Sequence, residues 1–144
     1  MSARSFEPRG VIPACLMPFN ADMKIDEAAW TAHLRDIASV DGIAGIAING
    51  HAAEVHALTI PEQERAVIQA REVLGPLGVP VVAGVYTESS LEAGRMAAQA
   101  QREGAEGLLV FPPAFMSLGG HMRPEMIEEH IRHITDNSDL PIVL

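Results

Sequence analysis

Apolar and polar positions fall in blocks along this chain rather than alternating residue by residue. Short apolar runs occur at Val11–Leu16, Gly42–Ile48, Val79–Val85, Gly107–Phe111 and, at the end, Pro141–Leu144. Continuous apolar runs of this length suit strands buried on both faces, as in a parallel sheet; flanking Gly and Pro and the Val/Ile content favour strand over buried helix. Between the runs the spacing turns helical. Asp26 is the expected N-cap of a helix reaching about Ala38, with Trp30, His33, Leu34 and Ile37 on one face. Thr59-Ile60-Pro61-Glu62 has the capping-box form, and the helix behind it aligns Ala66, Val67, Ala70, Val73 and Leu74. Ser89-Ser90-Leu91-Glu92 repeats that form and opens a helix expected to run to Glu103 and stop at Gly104, a residue suited to the left-handed position after a helix. Pro124 opens a fourth helix, with Met126, Ile127, His130, Ile131 and Ile134 as its expected apolar face.

The order is therefore strand and helix in strict alternation, which implies right-handed βαβ units and a parallel sheet. No linker, low-complexity segment or shift in composition divides the chain, so residues 1–144 are read as part of one domain. The last run is an apolar strand with no partner after it. A buried strand of that kind leaves an open edge. The expectation is a boundary inside a larger fold; the alternative is a half-barrel completed by a second copy.

Composition narrows the function. The chain has 144 residues, 48% hydrophobic, with Lys+Arg 10 against Asp+Glu 19 and a net charge of -9. That is a single globular core, too acidic to present the positive footprint that nucleic acid or an anionic membrane needs. No apolar run approaches the roughly 20 residues of a membrane helix. The first ten residues are not followed by the apolar segment of a signal peptide, so the cytoplasm is the expected location. A single cysteine, Cys15, leaves no disulfide framework and no cysteine-based zinc cluster, in keeping with a reducing compartment.

In parallel α/β folds ligands bind at the carboxyl ends of the strands. That selects Met17-Pro18-Phe19, Asn49-Gly50-His51-Ala52-Ala53-Glu54, Tyr86-Thr87-Glu88 and Pro112-Pro113-Ala114-Phe115. The small residues around Gly50 let backbone N–H groups approach an anion such as a carboxylate; the alternative is a tight loop that needs small residues only to turn. His51, Glu54 and His56 match neither common zinc-helix spacing, so no metal is expected. His51 stands as a polar group for the pocket. Tyr86, the only tyrosine, sits where a phenol can face the same pocket or merely cover a strand rim. His33, His130 and His133 fall on helices and read as structural; Glu128 and Glu129 read as a solvated helix face. Cys15 reads as a buried, inert thiol. Lys24 is the only lysine, in a polar loop without the desolvated setting that a Schiff-base amine needs. No phosphate-binding glycine motif is present.

Across these segments the chain resembles the dihydrodipicolinate synthase / N-acetylneuraminate lyase family of (β/α)8 TIM barrels. The resemblance is carried by Met17-Pro18-Phe19 with Ile25-Asp26, by Asp41-Gly42-Ile43-Ala44-Gly45, and by Gly50…Glu54…Leu58-Thr59…Glu62. It continues through Pro80-Val81-Val82-Ala83-Gly84-Val85, Gly104-Ala105-Glu106-Gly107-Leu108-Leu109-Val110 and Asp139-Leu140-Pro141-Ile142-Val143-Leu144. It covers the family's N-terminal half, strands one to five with four helices.

The resemblance implies a class I aldolase-type lyase that joins pyruvate or another 2-oxo acid to a lysine through a Schiff base, without a cofactor. It places that lysine on the sixth strand and a proton-moving tyrosine at the end of the fifth, so both lie beyond Leu144 and no catalytic residue is assigned here. Alone, the chain is expected to be inactive. The family's loop after the second strand usually reads Gly-Thr-Thr-Gly-Glu; here it is Gly50-His51-Ala52-Ala53-Glu54. The hydroxyls are gone, while backbone donors at His51 and Ala52 remain as expected carboxylate contacts. The usual Pro-Tyr-Tyr is here Pro112-Pro113-Ala114. These departures point to a divergent member, with Gly50, His51, Ala52 and Tyr86 as substrate-binding candidates and Glu54 as a loop anchor. A homo-oligomer, dimer or tetramer, is expected from the resemblance alone. The alternative is a non-catalytic half-barrel or degenerate member that binds a small carboxylate.

Overall fold

The computed structural model describes residues 6–144; residues 1–5, part of the segment expected to carry no leader, lie outside the described residues. Four parallel strands form one sheet: β1 (Ile46–Ile48), β2 (Val81–Val85), β3 (Gly107–Val110) and β4 (Ile142–Val143), in the order β1-β2-β3-β4. Five helices accompany them: α1 (Glu27–Ala38), α2 (Ile60–Leu74), α3 (Ser90–Arg102), the single turn α4 (Ala114–Ser117) and α5 (Pro124–Thr135). A doubly wound sheet reverses its strand order partway. This sheet never does, and right-handed crossovers in one direction put the connecting helices α2, α3 and α5 on the same face.

Side-chain parity then assigns the two faces. Ile46, Ile48, Val81, Ala83, Val85, Leu108 and Val110 share one core with Leu34, Leu74, Ala97 and Ile134 of the helices. Alternation along the strands sends Val82, Gly84 and Tyr86, and Gly107, Leu109 and Phe111, to the opposite, helix-free face. This is the arrangement of one wall of a barrel, whose interior face is the one without helices.

The first apolar run departs from expectation. Val11–Leu16 is not a continuous strand but makes isolated parallel bridges, Val11 to Ile43 and Ala14 to Ala47. Pro13 has no N–H to give to a ladder; its carbonyl accepts from Ala47 N at 2.9 Å, and Cys15 N donates to Ala47 O at 3.0 Å. The segment therefore lies beside β1 with an interrupted ladder.

The helix starts follow their local chemistry. Asp26 Oδ1 accepts from Ala29 N at 2.9 Å, and Thr59 and Glu62 form the complete reciprocal box that starts α2. At α3 only half of the box forms. Ser89 Oγ accepts from Glu92 N at 3.3 Å, but the Glu92 carboxylate turns to Arg95 at 3.2 Å instead of back to the cap. The helix ends at Arg102, and Gly104 takes the left-handed conformation with φ of 90°. On α5 only His130 and Ile134 are buried, with Ile131 packed at the core edge. Met126 and Ile127, expected to face inward, are 40% and 36% exposed. α5 rests on α3 near its C-terminal half, where a side chain at Gly94 would come within 2.6 Å of His133 O, so its first turn is left uncovered. The turn α4 and the 3₁₀ turn Gly120–Met122 fill a stretch that had no predicted element.

At the strands' N-terminal end Glu106 closes the sheet. Its Oε2 accepts from Val81 N at 2.9 Å and its Oε1 meets Arg71 Nη1 at 2.6 Å, while Glu106 N donates to Val81 O at 2.9 Å.

Candidate functional site

The carboxyl ends of β1, β2 and β3 open on the helix-free face, and the loop after β1 shapes them. Asn49 leaves the strand with a left-handed φ of 52°. Its carbonyl lies so close over β2 that a Cβ at Gly84 would sit 2.0 Å from Asn49 O. Only glycine at 84 lets the backbone lean across the neighbouring strand. From behind, two buried amides hold the loop. Asn49 Nδ2 donates to Gln63 O at 2.9 Å, and Gln63 Nε2 donates to Leu58 O at 3.2 Å and Val55 O at 3.3 Å.

The loop itself is two 3₁₀ turns, His51–Ala53 and Val55–Ala57, joined at Glu54 with φ of 52°. Gly50 O accepts from Ala53 N at 3.0 Å and from Val55 N at 3.3 Å, and His51 O accepts from Glu54 N at 3.0 Å. Among the described residues no protein acceptor takes the N–H of His51 or of Ala52. Two adjacent amide donors on an exposed turn can receive a carboxylate. Glu54 anchors the loop through its backbone rather than its carboxylate: its carbonyl accepts from Ala57 N at 2.8 Å, and its side chain points to solvent.

Leaning over β2 carries His51 to the rings of the next two strands. Its imidazole lies 4.3 Å from the Phe111 ring, tilted by 36°, and 5.2 Å from the Tyr86 ring, edge to face. Tyr86 and Phe111 are 6.3 Å apart, also edge to face. His51 and Tyr86 thus come together, with Gly50 beside Phe111, whereas Ala52 lines the opposite side of the loop. Sequence reasoning misses Phe111, although its parity with Tyr86, each the first residue past its strand, is countable along the chain. The candidate segment begins at Asn49, but the hold of its side chain on α2 is not foreseen, and Gln63 is missed, since a buried amide on a helix leaves no periodic mark. On the other side of the loop, Ala52 and Glu54 line a cleft of about 370 Å³ with Leu16, Pro18, Ala29 and His33. His33 Nε2 accepts there from Leu16 N at 3.1 Å.

The remaining candidates lie elsewhere. His56 and Glu54 form no cluster with His51 that would hold a metal, and no such group of three occurs among the described residues. Lys24 is exposed in a hairpin turn bridged by Phe19 and Ile25, where Asn20 Oδ1 accepts from Asp22 N and Lys24 N, both at 3.0 Å. Cys15 is buried, and burial pushes its thiol up to about 11 against a weaker opposing effect of the Trp30 side chain. His130 is buried between α3 and α5 with Nδ1 3.0 Å from Ser90 Oγ. Burial holds its pKa below the usual histidine value, helped by His133 and opposed by Glu88. A second cavity, of about 300 Å³, lies between α2 and α3 and reaches Asn49, Gln63 and Gly84 behind the loop.

The dihydrodipicolinate synthetase family model matches residues 7–144. The chain is 31% identical over 136 residues to the 4-hydroxy-tetrahydrodipicolinate synthase of Methanothrix thermoacetophila, covering 94% of this chain and 43% of that protein. It is 35% identical over 136 residues to the enzyme of the same name from Hyphomonas neptunium, covering 94% and 44%. The structure of the 4-hydroxy-tetrahydrodipicolinate synthase from Methylacidiphilum fumariolicum superposes with a TM-score of 0.83 at 26% identity, over 96% of this chain and 44% of that one. The chain therefore spans somewhat under half the length of the relatives it matches.

Proposed function

The chain belongs to the dihydrodipicolinate synthetase family, and from that premise we propose that it supplies strands one to five and four of the helices of a (β/α)8 barrel. The whole protein is then an aldolase-type lyase or synthase acting on pyruvate or a related 2-oxo acid through a Schiff base. The observation that carries this reading is the loop Gly50–Glu54. Folded across Gly84 beside the strand ends, it carries two successive amide N–H groups, of His51 and Ala52, that have no acceptor among the described residues and could receive the carboxylate of a 2-oxo acid. The amine nucleophile must be a lysine outside these residues, because Lys24 is exposed to water and a Schiff-base amine needs a desolvated setting. His51 and Tyr86 take the places of the hydroxyls that the family's usual loop would offer, as polar groups near the reacting carbonyl.

In the same proposal the protein works in the cytoplasm as a homo-oligomer. Among the described residues no helix is long and apolar enough to cross a membrane. The outward Leu118 and Met122, 86% and 74% exposed, provide apolar surface for a subunit contact.

Borohydride reduction of the natural gene product in the presence of pyruvate, read by intact mass, tests the reading. The expected result is a protein of roughly twice 15.4 kDa, in keeping with the ~250 residues of such barrels, carrying one trapped adduct. A product without an adduct that still binds pyruvate by NMR would replace the enzyme with the non-catalytic carboxylate binder. His51→Ala and Tyr86→Phe are each expected to slow turnover by about tenfold or more; if both leave it unchanged, their assigned places are wrong.

A further inference from the structure

The geometry points to a substrate class: we propose that the mouth selects a carboxylate substrate or carbonyl partner bearing an aromatic ring. This deepens the 2-oxo acid reading and rests on it for the chemistry, though not for the binding preference.

Three rings converge at the ends of three consecutive strands, with centroid separations of 4.3, 5.2 and 6.3 Å. None of them closes the surface. Among the described residues His51 is exposed and Tyr86 and Phe111 are half-buried, and all three stand at the strand ends, where a barrel of this kind opens. Edge-to-face pairs at 5.2 and 6.3 Å leave the geometry in which one more ring completes a herringbone cluster. The strand positions beneath them on the helix-free face are Ala47, Val82, Gly84, Leu109 and Val143, with neither charge nor hydroxyl. A polar aldehyde would meet no partner from this wall beyond the phenol and the imidazole. The N–H groups of His51 and Ala52 stand on the residues adjoining the ring cluster. A carboxylate received there leaves the rest of the molecule lying against the rings.

The sequence explains why this wall is aromatic rather than hydroxylated. Gly84 lets the loop lean inward by leaving 2.0 Å between Asn49 O and where its own Cβ would be. His51 thereby reaches β3, two strands from its own, and stacks on Phe111. In the aldol direction C3 of the oxo acid bonds to the aldehyde carbon; C3 loses one proton and the new hydroxyl gains one. No oxidant or reductant is required.

The test compares two aldehydes of similar size and apolarity on the intact protein, benzaldehyde and cyclohexanecarbaldehyde, with pyruvate as the oxo acid. Benzaldehyde is expected to have kcat/KM about tenfold higher, from two or three aromatic contacts. Phe111→Leu, and separately Tyr86→Leu, should each bring that ratio down to about threefold or less. Two variants are used so that misfolding of one does not decide the outcome. In parallel, NMR titration compares binding of benzoylformate with that of cyclohexylglyoxylate. Pyruvate trapping with a ratio near one overturns the aromatic preference and leaves the lyase reading standing. Without trapping, a benzoylformate preference of about tenfold keeps the aromatic site and removes the lyase, whereas equal binding removes both.

Discussion

At the N-terminal end of the sheet the chain closes on itself, and at the C-terminal end it does not. Glu106 joins Val81 N, Val81 O and Arg71 into one closed set. Across the sheet, Asn49 and Glu54 sit in the left-handed region and two successive N–H groups have no acceptor among the described residues. Residues held with positive φ away from glycine persist only where the surroundings over-determine them. Here the surroundings are Gly84 in front and Gln63 behind. One end thus contributes to stability by completing its own bonds, and the other gives up some of that stability to hold open donors and rings in place. The same division between a structural and a functional end is general to parallel barrels.

The sharpest way to break this comparison is Gly84→Ala. The new methyl would overlap the Asn49 carbonyl, and because the clash is with backbone the whole loop must move. A loss of about 3 kcal/mol or more is expected from overpacking of this kind, read as a drop in the urea midpoint together with loss of substrate binding. Gln63→Leu comes next. It removes the donor shared by Val55 O and Leu58 O, and burying such groups unpaired costs roughly 1–3 kcal/mol. In the whole protein, KM for the proposed 2-oxo acid should rise with it, whereas unfolding alone should move if the amide serves only packing.

Acidification probes the helix layer instead of either end. His130 has a folded pKa below its ordinary value of 6.5, through burial first and His133 second. Between the folded and unfolded values the unfolded chain binds the extra proton. The stability that the neutral ring contributes is therefore complete above about pH 6.5 and lost as pH falls through that value toward the folded pKa. The urea midpoint should be lower at about pH 5 than at about pH 7.5, and His130→Gln, which keeps a partner for Ser90, should narrow the gap. An unchanged gap would assign the acid sensitivity to other groups.

Arg71→Ala has the smallest expected effect. The ion pair with Glu106 is about a third exposed on both sides, so solvent screening limits the loss to about 1 kcal/mol. It should lower the unfolding midpoint and leave KM alone, since it lies at the closed end. A change in KM without a change in midpoint would undo the separation between the two ends.

Much of this protein is legible in its linear order. The alternating runs and the cap signals are local: the Thr59 and Ser89 hydroxyls each accept from the N–H three residues on, so α2 and α3 start where their sequences say, although the Glu92 carboxylate leaves its box for Arg95. Strict strand–helix alternation likewise carries the parallel sheet, because only a crossover can join parallel strands. The loop Gly50–Glu54 is marked by its small residues and by resemblance to the family. What the linear order does not contain is distance across strands. That Val11–Leu16 loses its ladder depends on where Pro13 meets β1. That Met126 and Ile127 stay outside depends on α5 meeting α3 through its later turns, His130 at Ser90 and His133 at Gly94. And Phe111, 60 positions from His51 in the chain, joins it because a missing side chain at Gly84 lets one strand's loop lie over its neighbour's end. Periodicity and caps are properties of neighbouring residues and are written in the sequence. The meeting of three rings is a property of steric clearance between strands, which exists only once the sheet is assembled.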